Sequence, residues 1–252
     1  MMGELNAVYH MWKREMLRFF RAKSRVIGSM GMPFFFLAIV GTGLNGALNL
    51  PGMEGNYLEF IAPGILGMVL MMGSIFSGVV VIMDRQFGFL KETLVAPVSR
   101  LSIVAGKALG GATTAVIQGL LMLGIALLLG VQFQWANIIF VLFFMAAISL
   151  AFVCIGIAIA SLMEDMHGFQ LVMNFLVMPL FFLSGALFPL DRAPDIIRAL
   201  SYIDPLTYAV DGMRYLLIGT SSMPIGLSFG VVMLTLIISA GSAVYLFQRI
   251  ET

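Results

Sequence analysis

The chain has 252 residues, of which 60% are hydrophobic and only 11% charged, with a formal net charge of +1. A soluble domain carries about 25% charged residues, and this chain has too little polar side chain to cover a water-facing exterior. A soluble enzyme, a soluble nucleic-acid binder and a disordered chain are excluded, and bulk attraction to polyanions is absent. The single cysteine, Cys154, excludes an intrachain disulfide, and His10 and His167 lie too far apart in sequence to read as a metal pair. The 20 methionines read as flexible filler between apolar helices rather than as soft-metal ligands.

In chain order, Leu5, Tyr9, Trp12, Met16 and Phe19 recur at helical spacing, with Arg14, Arg18 and Arg21 on another face. Residues 1–25 are therefore expected to form a basic amphipathic helix at the membrane interface. Six apolar runs then reach the roughly 20 residues that a crossing helix needs: 26–46, 58–83, 101–130, 136–162, 169–188 and 225–247. None alternates as a membrane β-strand does. The expectation is an all-α polytopic membrane protein with six transmembrane helices, forming one membrane domain over 1–252.

Basic residues orient it. Lys13, Arg14, Arg18, Arg21, Lys23, Arg25, Arg85, Lys91, Arg100, Lys107 and Arg249 fall on one side, against Arg192, Arg198 and Arg214 on the other. Cytoplasmic loops carry the lysine and arginine excess, so both termini are expected in the cytoplasm.

Between the second and third runs, residues 84–100 form a charged connection, punctuated by Gly88 and Pro97 and interleaved with Phe87, Phe89 and Leu90. It reads as a docking surface for a soluble partner or as a solvated loop. Residues 189–224 hold two short amphipathic stretches broken at Asp204-Pro205, expected at the outer interface or re-entering the bilayer. Asp211 and Arg214, three apart, are expected to pair, or Arg214 to pair with Asp204. Within the runs, the Gly106/Gly110, Gly111/Ala115/Gly119 and Gly156/Ala160 rows read as close helix packing. Neutral polar residues such as Thr113, Gln118 and Asn174 read as interhelical bonds or path markers. The chain shows no Walker A motif, no His-Glu-x-x-His, and no evident catalytic arrangement. ATP-driven work would need another subunit.

Three stretches resemble one family. They are Asp84-Arg85 with Gly88, Lys91-Glu92, Ala96-Pro97-Val98-Ser99-Arg100 and Lys107; Ser184-Gly185-Ala186-Leu187-Phe188-Pro189; and Pro205-Leu206-Thr207-Tyr208 followed by Arg214. With the six-run layout, the chain resembles the membrane subunit of export-type ABC transporters, the ABC type-2 permeases. The resemblance implies a transport subunit rather than an enzyme. This chain would bind no cofactor, ATP and Mg being held by a separate ATP-binding cassette subunit. It implies a homodimer, or a heterodimer with a similar permease, in lipid contact and without nucleic acid, in a prokaryotic inner or plasma membrane.

By the same resemblance, Asp84, Arg85, Gly88, Lys91, Glu92, Pro97 and Arg100 belong to the coupling helix that docks on the ATPase. The segment 189–224, with Pro205, Tyr208, Asp211 and Arg214, is an external re-entrant hairpin acting as a gate. If the family's dimer arrangement holds, the first and fifth spans face the partner protomer. Gln170 and Asn174 then share a face of the fifth span, with Phe181 near the same stripe, as a substrate path. The Ala-Pro-Val-Ser-Arg stretch is most similar to drug-, antibiotic- and lipo-oligosaccharide-export permeases, so an amphipathic or lipid-linked substrate is expected. The alternatives are a passive channel or immunity-type membrane protein, for which the spans are too apolar, and a lipid-modifying enzyme, for which only Asp191 to Arg214 offers convergent polar groups.

Overall fold

The structure, a computed structural model, describes residues 2–45, 57–95 and 97–250, and every regular element among them is helical. Six helices are long and apolar enough to cross a membrane: Val26–Leu44, Tyr57–Gln86, Arg100–Leu128, Trp135–Ser161, Met166–Leu183 and Ile225–Gln248. They correspond in number and order to the six apolar runs. The connection between the first two apolar runs, residues 47–57, lies almost wholly outside the described residues. The fifth span stops at Leu183, five residues short of the expected end, because Gly185 takes a left-handed backbone (φ 68) and turns the chain under the Leu190 side chain.

The second span is the hub. Most of it is enclosed by the third and fourth, whereas the first, fifth and sixth leave most of their surface open. Small residues allow the close approach: a Cβ on Gly78 would overlap the Gly156 carbonyl, and one on Gly156 would overlap the Ile75 carbonyl. In the first span Pro33 interrupts the hydrogen-bond ladder, and a wider π turn, Phe36–Gly41, follows.

The N-terminal helix Met2–Arg21 runs alongside the third span. Val8 and Met11 sit on Gly106, and Trp12 and Glu15 on Gly110. At 29 residues the third span is about 43 Å long, against a hydrocarbon core of about 30 Å. Its first turns therefore have the length to stand outside the core, and the N-terminal helix rests on them. Met16 is buried, while Leu5 and Tyr9 of the same sequence stripe are exposed.

Residues 184–224 hold two helices, Asp195–Ser201 and Pro205–Ile218. The first is largely exposed. The second is buried without a break from Leu206 to Arg214, enclosed by the second, fourth and sixth spans. It is a core helix although it carries Asp211 and Arg214. It ends at Gly219, in a left-handed conformation (φ 87) that caps the last turn.

Candidate functional site

The two ends of the bundle each hold buried charge. At the basic end, Asp84 lies in the last turn of the second span and is only 4% exposed. It accepts from Lys107 Nζ of the third span, lies 2.5 Å from Arg14 Nη2 and lies 3.5 Å from Arg18 Nη2, both on the N-terminal helix. Glu15 adds a second carboxylate, 3.4 Å from Arg14 and 3.6 Å from Arg18. Lys107 is 5% exposed, so its ammonium has Asp84 in place of water. The Arg14 guanidinium also stacks 4.2 Å over the Phe89 ring.

Phe89 opens a short helix, Phe89–Val95, reached through the left-handed Gly88 (φ 78). This helix turns its other side outward: Glu92, Val95 and the neighbouring Phe87 and Pro97 are exposed, while Leu90 and Thr93 are buried. At the same end, Glu4 caps the third span, accepting from Ser99 N at 3.0 Å and from the Ser99 and Ser102 hydroxyls. These bonds hold the Glu4 carboxyl below its usual value.

Four of the seven coupling-loop residues are therefore placed differently from the expectation. Asp84 faces inward, because three cations surround it in the fold. Arg85 is helical and reaches Glu164 at 3.8 Å, linking to the turn before the fifth span. Arg100 begins the third span and donates to the Gln248 carbonyl at the end of the sixth. Gly88 supplies the helix break rather than a contact. Glu92 and Pro97 are exposed, and the side chain of Lys91 lies outside the described residues.

At the far end, Arg214 is buried but does not pair with Asp211 or Asp204. Its Nη2 donates to Gly185 O at 2.9 Å, its Nε to Phe60 O at 3.4 Å, and the guanidinium stacks 4.0 Å over the Phe60 ring. Burial lowers its pKa to about 10. Asp211 instead accepts from Ser222 N (2.8 Å) and Ser228 Oγ (3.4 Å). Asp204 caps the helix, accepting from Leu206 N at 2.8 Å, and burial raises its carboxyl to about 7. Two residues of one turn diverge because each is drawn to a different neighbouring backbone: Arg214 to the second span and the Gly185 turn, Asp211 to the link into the sixth span. Tyr208, expected at the interface, is buried and donates to Tyr202 O at 3.0 Å, while Pro205 occupies the first turn.

The expected stripe on the fifth span divides. Gln170 and Asn174 are exposed, but Phe181 is buried and packs edge-on against Phe36 of the first span. The buried line is Phe169, Met173, Val177 and Phe181; steps of four drift around a helix, so this line begins beside Gln170 and ends on the ring. Gln118 donates to Ser29 and Trp12 donates to Thr113, so both polar sites in the third span are interhelical bonds.

A family model described as ABC-2 type transporter matches residues 6–218. The chain belongs to this family. It is similar to the transport permease ycf38 of Cyanophora paradoxa, 32% identical over 81% of this chain and 71% of that protein. It is also similar to the inner membrane transport permease YadH of Escherichia coli K12, 28% identical over 92% and 90%, and to nodulation protein J of Rhizobium leguminosarum bv. trifolii, 27% identical over 86% and 83%.

Membership makes the chain a multi-pass membrane transport subunit, not a catalytic enzyme, of a family whose permeases pair in general with an ATP-binding subunit. Within this ABC-2 chain, sequence reasoning missed Arg14 and Arg18 as partners of Asp84, Glu15 as the second carboxylate on those two arginines, and Phe60 as the seat of Arg214. The available signal was Lys107, a cation inside an apolar run that calls for a counter-ion.

Proposed function

We propose that this ABC-2 permease is the membrane half of an ATP-driven exporter, with both termini cytoplasmic as the basic residues indicate. A separate subunit carrying ATP and Mg docks on the helix Phe89–Val95. The observation that carries this reading is that helix: it and its flanks expose Phe87, Glu92, Val95 and Pro97, Leu90 and Thr93 are buried, and the Phe89 ring at its start lies under Arg14 of the Asp84 cluster. Such a platform passes a push from a soluble partner to the N-terminal helix and to the second and third spans.

The open faces of the first and fifth spans are the surfaces for a second permease, a like copy or a similar chain. Gln170 and Asn174 are amides on such a face, and amides left in hydrocarbon are costly. A protomer interface or a path along it satisfies them, and their partner there is an amphipathic or lipid-linked substrate or the second permease. Arg214, bonded to the second span and the Gly185 turn, holds the hairpin as the outer gate.

The test is co-purification with the ATP-binding subunit. Charge reversal of both Lys91 and Glu92 is expected to weaken the complex, or to leave ATP hydrolysis running without transport, while membrane insertion stays normal. Unchanged assembly and transport by that double variant overturn the docking assignment.

A further inference from the structure

A groove of about 260 Å³ runs between the fourth and sixth spans, away from the exposed faces of the first and fifth. Ile155, Ala158 and Ile159 form one wall; Thr235, Ile238 and Ser242 form the other. The wall hydroxyls are spent on their own helix: Thr235 donates to Val231 O at 2.8 Å, Ser239 to Leu236 O at 3.1 Å and Ser242 to Ile238 O at 2.8 Å. The groove therefore presents methyls and methylenes and no free donor.

Its depth fits one leaflet. Thr235, Ile238, Ser242, Tyr245 and Arg249 recur at steps of three and four, so they share one face of the sixth span. At 1.5 Å per residue, Ser242 and Thr235 lie about 10 and 21 Å along the helix from Arg249. Half of a hydrocarbon core is about 15 Å, so the groove covers the acyl zone of the leaflet at the basic end. At its mouth the exposed Arg249 stacks 4.4 Å over Tyr245 and donates to its hydroxyl. Arg100 reaches the same level through the Gln248 carbonyl. Among the described residues no carboxylate lies within ion-pair distance of either arginine. The rim carries Leu234, Ile238 and Tyr245, all exposed and bulky, whereas a packed helix wants small residues there.

We propose that this groove binds an anionic phospholipid, one acyl chain between the fourth and sixth spans and the headgroup phosphate on Arg249. The site stands independently of the export reading. An arginine near the surface attracts anionic lipid by an amount equivalent to about a fivefold change in affinity. The experiment uses the full chain in nanodiscs of phosphatidylcholine and phosphatidylglycerol, with retained lipid counted by native mass spectrometry.

The wild-type chain is expected to retain phosphatidylglycerol over phosphatidylcholine. Arg249→Gln lowers that preference about fivefold, and Ser242→Phe, which fills the groove, loses the retained lipid. Arg249→Gln changes an exposed side chain whose contacts are with the equally exposed Tyr245, so it reads out the site even if Ser242→Phe folds poorly. Equal retention of both lipids by the wild-type chain, or an unchanged preference in Arg249→Gln, overturns the proposal. So does a change of oligomeric state in Ser242→Phe without loss of lipid, which would make the occupant another copy of the chain.

Discussion

The two ends of the bundle bury charge by opposite means. At the basic end, Asp84 is neutralised by three side chains from two other elements: Lys107 of the third span and Arg14 and Arg18 of the N-terminal helix. At the far end, Arg214 has backbone carbonyls of Phe60 and Gly185 and the Phe60 ring around it. Its near neighbour Asp211 likewise bonds to a backbone amide and a hydroxyl. Ion pairing ties separate elements together through charges that must all be present. Carbonyl solvation ties one cation to a particular backbone course. The first arrangement is sensitive to the loss of any partner, the second to the geometry of the guanidinium fork.

The largest effect is expected at Asp84. Asp84→Asn leaves Lys107 and Arg14 without their main counter-ion, a loss of about 3–5 kcal/mol for a broken buried pair. Adding Lys107→Met is expected to recover part of that loss, measured by thermal denaturation in detergent. Strict additivity of the two substitutions would dissolve the contrast by showing that the pair is not coupled.

Arg214 comes next. Arg214→Ala abandons two carbonyls at about 1–3 kcal/mol each when no water reaches them. Arg214→Lys is expected to restore little, because an ammonium cannot reproduce the fork. Asp211→Ala is expected to give no rescue, since the two residues do not meet. Rescue by Asp211→Ala, read as recovered stability and transport, would instead make the far end an ion pair like the basic end.

The smallest change concerns Asp204. Its carboxyl titrates near 7 in the fold against an ordinary value of 3.8. The folded chain therefore holds this proton more firmly than the unfolded chain does. The stability that the group contributes is complete below about pH 4 and falls as the pH rises toward about 7. The protection factors of the Leu206 and Thr207 amides, corrected for the intrinsic rise of exchange with pH, are expected to be higher at pH 5 than at pH 8. Asp204→Asn keeps a good cap and is expected to be near-neutral at pH 5 while removing the difference. A pH difference that persists in Asp204→Asn assigns the effect to another group.

Composition and the length of apolar runs were enough to determine an all-helical chain with six spans, because a bilayer demands about 20 apolar residues per crossing whatever surrounds them. The glycine rows were legible for a similar reason: a missing side chain allows close approach wherever the neighbour stands. The segment that holds the helix Phe89–Val95 was legible as a charged connection. What each charge touches was not. Asp84 reads as part of a solvated loop until the N-terminal helix, 70 residues earlier, brings Arg14 to it. Asp211 and Arg214 read as a pair until the second span and the link to the sixth divide them. Spacing along one helix reports which residues share a face, but a buried charge takes the strongest partner within reach, and which groups come within reach is decided only when the helices pack.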